Sequence, residues 1–189
     1  MKSLSTLLQV ATASQLVFDS LPPAAGGSFG TPVTYNQGLA VQFRSLDACG
    51  APTQLAYVNF TVSTENVDNN STYLEVALCP SENGLPKCPS TNYPERLPIR
   101  IVAKRIQYQW VPSATVQMAP STLYWFVVLS NAEKMNHAVI WMDGVKRFTT
   151  DNDPTNDVLS AFTLSDAGDW AADPPRNNRT VSSMQVVAI

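Results

Sequence analysis

The segment Pro120-Ser-Thr-Leu-Tyr-Trp-Phe-Val-Val-Leu-Ser-Asn131 contains seven consecutive apolar residues, 123–129. Apart from two leucines they are aromatic or β-branched, and such residues are enriched in strands. The run is too short to cross a membrane as a helix, and its length suits a strand that is covered on both faces. Pro120-Ser121 before the run and Ser130-Asn131 after it are turn residues. The segment therefore predicts the central strand of a β-sandwich.

Shorter segments with alternating apolar and polar residues predict the remaining strands. Turn residues separate them every 8 to 12 residues, and no helical period extends over ten residues. Asp143-Gly144 lies between two strand-like runs and predicts a type I′ hairpin, which we expect to flank the central strand together with 106–111. The pattern predicts an all-β, jelly-roll-like antiparallel β-sandwich. The alternating or strand-like segments are 39–43, 55–62, 73–79, 106–111, 158–164 and 184–189.

Composition excludes several classes of protein. The 189 residues suffice for one full-sized domain, and charged residues make up only 14%, against a typical quarter. The net charge is −3 and the basic residues are scattered, whereas nucleic-acid binding needs a basic stripe. No segment has the length of a membrane-spanning helix, so we expect no integral membrane protein.

The first residues have features of a secretory leader. Lys2 supplies a positive charge, residues 4–13 a short apolar stretch, and Ala11-Thr12-Ala13 a cleavage site of the A-x-A type. The alternative is an ordered N-terminal arm or first strand. The sequence thus divides into residues 1–18, a leader or arm, and residues 19–189, a single sandwich domain.

The three cysteines are informative through their spacing. Cys79 and Cys88 flank a loop that contains the turn signal Asn83-Gly84, and a disulfide between them would close that loop. Cys49 remains as a buried thiol, an intermolecular partner, or the true mate of one of the others. Zinc is not expected, because the spacing is wrong and His137 is the only histidine.

Four N-x-[ST] sequons occur in the chain, and they predict a glycoprotein on a secretory route. The one at Asn59 falls on the predicted outward face of its strand, so it is expected to face solvent. The sequon asparagines are Asn59, Asn69, Asn70 and Asn178.

The order of these features resembles the choice-of-anchor R family, exported jelly-roll-like surface domains. The resemblance implies a non-catalytic sandwich and assigns no catalytic residues. This chain departs from the family in its cysteines and sequons. It also has no C-terminal sorting tail, so we expect secretion or assembly into a coat. The matching pieces are Phe18-Asp-Ser-Leu21, residues 39–43, Val76-Ala-Leu-Cys79, Gly84-Leu-Pro86, residues 121–130, Ala167-Gly-Asp-Trp170 and Met184-Gln-Val-Val187.

An acidic loop is the only candidate metal site. Asp151, Asp153 and Asp157 place three carboxylates within seven residues, and alternating oxygen ligands are what calcium prefers. The loop lacks the glycine and glutamate of an EF-hand, so a solvated turn rich in Asp and Asn is favoured. Calcium remains the alternative; no other cofactor is expected.

Aromatic residues near polar groups are candidates for ligand binding. Trp141, Trp170 and Tyr93 could stack on a sugar ring, with Asp166 or Asp169 binding hydroxyl groups. The competing interpretation places strand tryptophans in the core, and it is preferred for Trp110 and Trp125.

The sequence therefore favours a non-catalytic, exported structural or interaction protein. It would be extracellular, on a cell surface or in a virion coat, and its partners would be protein subunits or surface glycans. A carbohydrate-binding module is the second hypothesis. A glycoside hydrolase using Asp166 and Asp169 is the third, and it is disfavoured because any chain with 15 acidic residues offers such pairs. His137 accompanies no nucleophile motif, so an enzyme is not expected.

Overall fold

A computed structural model of the chain describes residues 13–23, 29–67, 71–88, 94–163 and 169–189. The described residues form two antiparallel sheets that pack face to face, which confirms the predicted all-β sandwich. Two short 3-10 turns, Ala48–Gly50 and Met135–His137, are the only helical segments in this part of the chain. Neither has the length to cross a membrane.

The first sheet is organised around its longest strand, β4. One side of β4 pairs with β14 and β11, and the other side pairs with β8 and β9. Strand β1 pairs with β14, and β2 pairs with β11. The strands of this sheet are β1 (Gln15–Asp19), β2 (Gly30–Val33), β4 (Thr53–Ser63), β8 (Ile106–Trp110), β9 (Gln117–Met118), β11 (Val139–Met142) and β14 (Met184–Ala188).

The second sheet is organised around β10, the strand predicted to be central. Its neighbours are β3 and β5; β12 and β13 follow beyond β3, and β6 and β7 both pair with β5. The strands of this sheet are β3 (Leu39–Arg44), β5 (Tyr73–Glu82), β6 (Leu85–Pro86), β7 (Glu95–Pro98), β10 (Leu123–Ser130), β12 (Ser160–Thr163) and β13 (Trp170–Ala172).

The main core lies between the two sheets and follows the period-two pattern of the sequence. Phe126 of β10 and Phe60 of β4 meet across it with ring centroids 5.4 Å apart. Trp141 of β11 is edge-on to Phe126, at 5.7 Å and 89°. A β-bulge near Ala56 lets Leu55 join the core, so Ala56 does not face inward as its alternation predicts.

The neighbours predicted for the central strand are wrong. β8 and the segment around Asp143-Gly144 belong to the first sheet, while β10 pairs with β3 and β5 in the second. Alternation of apolar and polar residues predicts that a segment is a strand. It does not predict the order of the strands in a sheet, because that order depends on long-range pairing.

The predicted type I′ hairpin at Asp143-Gly144 is also wrong. Both flanks of β11 are occupied by β2 and β4, so the residues after Gly144 cannot fold back on it. A Cβ at Gly144 would lie 2.2 Å from the Ser20 carbonyl oxygen, so the glycine permits a close backbone approach. A two-residue hairpin turn occurs instead at Asn83-Gly84 between β5 and β6, where φ is +53° and +76°.

The division between residues 18 and 19 falls within strand β1. Residues 15–18 belong to β1 of the first sheet, and Phe18 stacks on Phe148 with ring centroids 5.7 Å apart. The sandwich therefore includes residues that the sequence division assigns to the N-terminal segment.

Candidate functional site

A second apolar cluster covers the outer face of the second sheet. Because side chains alternate along β10, Trp125 and Val127 point away from the main core, and both are buried. The outer face of an antiparallel sandwich sheet is normally polar. The unbroken apolar run therefore marks a strand with apolar contacts on both sides. Small residues of neighbouring strands complete this outer cluster: Ala40, Ala77, Cys79 and Ala161.

An apolar pocket of about 220 Å³ opens beside this cluster. We call it the Trp170 pocket. Val127 and Leu129 of β10 form its floor with Ala77 of β5, because residues 77 and 127 are direct cross-strand partners. Trp170, half-buried on the edge strand β13, forms one wall. The pocket is lined by Ala77, Cys88, Pro94, Val127, Leu129, Thr163 and Trp170.

The polar capacity of the Trp170 pocket is small. Among the described lining residues, Thr163 supplies the one hydroxyl, which accepts a hydrogen bond from the Gly38 N–H at 2.7 Å and donates to the Asn36 carbonyl at 3.4 Å. Gly38 itself lies against the pocket, since a Cβ there would be 2.2 Å from Leu129 Cδ2. None of the described lining residues carries a charge, so the described walls favour an apolar ligand group.

The predicted aromatic platform is only partly present. Trp170 lines the pocket, and Asp169 beside it is exposed but does not line the pocket. Trp141 is 0% exposed, and its indole donates to the Ser183 carbonyl at 3.1 Å inside the main core. The prediction that Trp141 stacks on a ligand is therefore corrected. Tyr93 and Asp166 lie outside the described residues.

Two arginines bind the predicted calcium ligands. The buried Asp153 carboxylate accepts hydrogen bonds from the Val158 N–H at 2.9 Å and from the Arg179 guanidinium. Asp157 accepts a bidentate pair from Arg44 at 2.5 and 2.8 Å, and Asp151 is exposed. Among the described residues, no three His, Cys, Asp or Glu side chains are grouped to hold a metal ion. Asp153 and Asp157 are thus engaged in ion pairs with arginines, and calcium binding at this loop stays a prediction.

The Arg44–Asp157 pair shifts the titration of both groups. Hydrogen bonding to Arg44 lowers the pKa of Asp157, and the same contact raises the pKa of Arg44. These ion pairs fasten the 151–158 loop to β3 and to the chain around Arg179, so Asp153 and Asp157 have a structural role.

The disulfide between Cys79 and Cys88 is confirmed. It holds residue 88 against β5, which places Cys88 in the wall of the Trp170 pocket. Cys49 is an exposed free thiol, so the alternatives in which it is buried or paired with Cys79 or Cys88 are wrong, and the intermolecular alternative stays a prediction.

The sequons divide into three groups. Asn59 is only 8% exposed, and its amide bonds to Gln185 and Gln109 at 3.2 Å each, so the prediction that Asn59 faces solvent is wrong. The side chains of Gln109 and Gln185 on the two neighbouring strands cover Asn59 on the outer face of β4. Alternation along one strand does not reveal such neighbours. Asn178 is exposed and stays a predicted site. Asn69 and Asn70 lie outside the described residues.

Polar depressions also occur elsewhere in the described structure, and two of them illustrate their composition. One, of about 400 Å³, lies among loop ends at one end of the sandwich and is lined by Asn131, Lys134 and His137. The other, of about 280 Å³, contains Asp143 and Asp173, and burial raises the pKa of Asp143. Ser71 and Thr72 also line the first depression, and Ser160 and Ser182 the second, so both recesses are polar.

Sequence reasoning identified Trp170 but missed the floor of the pocket. Val127 and Leu129 belong to the predicted covered strand, and the available signal is the lack of alternation in 123–129. Ala77 and Thr163 carry no sequence signal, because only strand pairing brings them to Trp170.

Comparison with known proteins assigns no family. No protein-family model matches the chain, and no curated protein matches its sequence. The fold and the pocket define it as a disulfide-containing β-sandwich with an apolar recess on its outer face.

Proposed function

We propose that the protein is an exported, non-catalytic interaction module that binds an apolar side chain of a partner protein in the Trp170 pocket. The observation that carries this proposal is an open apolar pocket on the outer face of a sandwich sheet, where polar residues are the norm. The resemblance to choice-of-anchor R domains is part of the same proposal. Display on a surface or assembly into an extracellular or virion coat would use such a contact.

The size of the pocket argues for a single side chain. About 220 Å³ is below the range of pockets that enclose whole small molecules. Large apolar anchors that fill such recesses supply most of the binding energy in protein interfaces. The wall of Trp170 and the methyl groups of Val127 and Leu129 suit an aromatic or branched aliphatic group.

Selection from a random peptide library displayed on phage tests this proposal. We expect enriched sequences to share one large apolar residue, and Trp170→Ala to abolish their retention. Tyr35→Ala is the matched control, since Tyr35 is 60% exposed and does not line the pocket. Gly38→Ala is a second variant, because its Cβ would displace Leu129 while β13 stays in place. Equal retention by the wild type and both pocket variants would rule the site out.

A carbohydrate-binding module is the second candidate. Trp170 favours it, since a half-exposed tryptophan on an edge strand can stack on a sugar ring. The Thr163 hydroxyl argues against it, because its proton is already donated to the Asn36 carbonyl and the other described lining residues offer no hydrogen-bonding side chain to a sugar, apart from the Trp170 indole. Affinity electrophoresis in polysaccharide gels separates the two candidates: retardation that Trp170→Ala removes would favour the sugar.

Export is the remaining element of the proposal. A disulfide fits an oxidising compartment, and β1 begins at Gln15, two residues after the predicted cleavage at Ala13. Cleavage there would leave the first sheet intact. The intact mass of the secreted protein is expected to lack residues 1–13. A mass that retains them, or that also lacks residues 14–18 and so most of β1, would contradict this boundary.

A further inference from the structure

Strand β8 forms an edge of the first sheet. It pairs with β4 on one side, and none of the other described strands pairs with its opposite side. The Thr61 N–H donates to the Ser183 carbonyl at 3.3 Å, so the backbone N–H and C=O groups of Thr61 point towards β14. Because these directions alternate along a strand, the backbone groups of Phe60 and Val62 point towards β8. This orientation determines which backbone groups of β8 bond to β4.

The backbone groups of Gln107 and Gln109 point outward from that edge. Phe60 is paired with Tyr108 and Val62 with Ile106, so residues 106, 108 and 110 bond to β4. The intervening residues direct their N–H and C=O groups away from the sheet. Two donors and two acceptors thus stand in a row without a backbone partner among the described residues.

This edge lacks the features that usually prevent pairing with another chain. Sheet edges are protected by charge, by proline or by shortness. The other described edges carry such features: Asp19 in β1, Pro32 in β2, Pro86 in β6, Glu95, Arg96 and Pro98 in β7, and only three residues in β13. Strand β8 has the sequence IQYQW, five residues with neither charge nor proline.

We infer that β8 pairs antiparallel with β8 of a second copy of this chain, about a two-fold axis at Tyr108. This register alone pairs all five strand residues, and it places Gln107 opposite Gln109 of the second copy. Each such pair exchanges two N–H···O bonds, so the two pairs form four. The same edge serves both copies, which a two-fold interface requires.

The side chains are compatible with this register. On the outer face, Gln109 donates to Asn59, and Asn59 donates to Gln185, both at 3.2 Å. Gln107 of the second copy would extend this row of amides, since it would lie beside Gln109. Arg105 would face Val111 of the second copy, so like charges do not meet. Val111 is 59% exposed, and the pairing would bury part of its apolar surface away from water.

Sedimentation equilibrium of the full chain and two charge variants at low salt tests this register. We expect the wild type to dimerise reversibly. Gln107→Lys with Gln109→Lys puts lysine opposite lysine and should weaken dimerisation by about tenfold. Gln107→Glu with Gln109→Lys puts opposite charges together and should restore it. The two variants change the same exposed positions, so their folding is matched, and circular dichroism checks it.

The outcomes are decisive in either direction. A wild type that stays monomeric, or two variants that dimerise equally, would overturn the inference, as would capture of a foreign peptide by β8 in a monomer. Hydrogen exchange gives a second readout, since the Gln107 and Gln109 amides should become protected as concentration rises. The inference goes beyond the proposed pocket function and does not rest on it, because β8 and the Trp170 pocket lie on different sheets.

Discussion

Trp125→Ala is expected to lower the free energy of unfolding by about 3–5 kcal/mol. The indole is 0% exposed and packs in the outer cluster with Val127 and Cys79. Its N–H donates to the Ser81 hydroxyl at 3.1 Å, and Gln42 donates to the same hydroxyl at 3.3 Å. Truncation removes a large buried surface in the middle of the second sheet and leaves a cavity. Urea unfolding followed by circular dichroism measures the change.

Phe29→Ala is the matched control for this prediction. Phe29 is 63% exposed, so its truncation should change the free energy of unfolding by less than about 0.5 kcal/mol. If Trp125→Ala abolished binding while the unfolding midpoint stayed unchanged, Trp125 would belong to a binding surface, and the outer cluster would have to be reassigned.

Asp153→Asn is expected to lower the free energy of unfolding by about 3–5 kcal/mol, because it leaves the buried guanidinium of Arg179 without its counter-ion. The side chains of Asp153 and Arg179 are only 6% and 9% exposed. Arg179 also donates to the carbonyls of Val158 and Arg176, so it cannot readily turn to solvent. Thermal and urea unfolding at pH 7 measure the loss.

The double variant Asp153→Asn with Arg179→Met tests the cause. Removing both charges should recover part of the stability, since a buried pair replaced by apolar groups is often tolerated. A double variant as unstable as the sum of the two single variants would show that packing, rather than the unpaired charge, accounts for the loss.

Asp157→Asn breaks the more exposed of the two ion pairs. It is expected to lower the free energy of unfolding by only about 0.2–1 kcal/mol. Its partner Arg44 is 41% exposed, so solvent screens the pair. Because Arg44 lowers the pKa of Asp157, the pair contributes stability above the ordinary aspartate pKa of about 4. That contribution is lost as the pH falls through the lower pKa of the folded protein. The difference between this variant and the wild type should therefore vanish in acid.

The sequence contained enough information for the fold class but not for the strand order. Alternation in 39–43 and 73–79 correctly gave the inward residues of β3 and β5, because one face of each packs on the main core. Asp143-Gly144 has the composition of a hairpin turn, yet its neighbours in space forbid one. Turn composition is local, whereas the occupied flanks of β11 are a property of the whole sheet.

The candidate site was predictable only through its aromatic wall. Trp170 and Trp141 look alike in sequence, and the structure separates them because β13 is an edge strand while β11 is an interior one. The aspartates of 151–157 have the spacing of calcium ligands, but arginines more than 20 residues away neutralise two of them. Such long-range partners leave no local pattern.

The most direct test of the proposed pocket is a titration of the protein with N-acetyl-tryptophanamide, followed by the NMR signals of its methyl groups. The methyl resonances of Val127 and Leu129 should shift and saturate, those of Val33 in the main core should stay fixed, and Trp170→Ala should remove the shifts. Methyl signals of Val127 and Leu129 that do not move, or that move equally in Trp170→Ala, would contradict the assignment of the Trp170 pocket as a binding site.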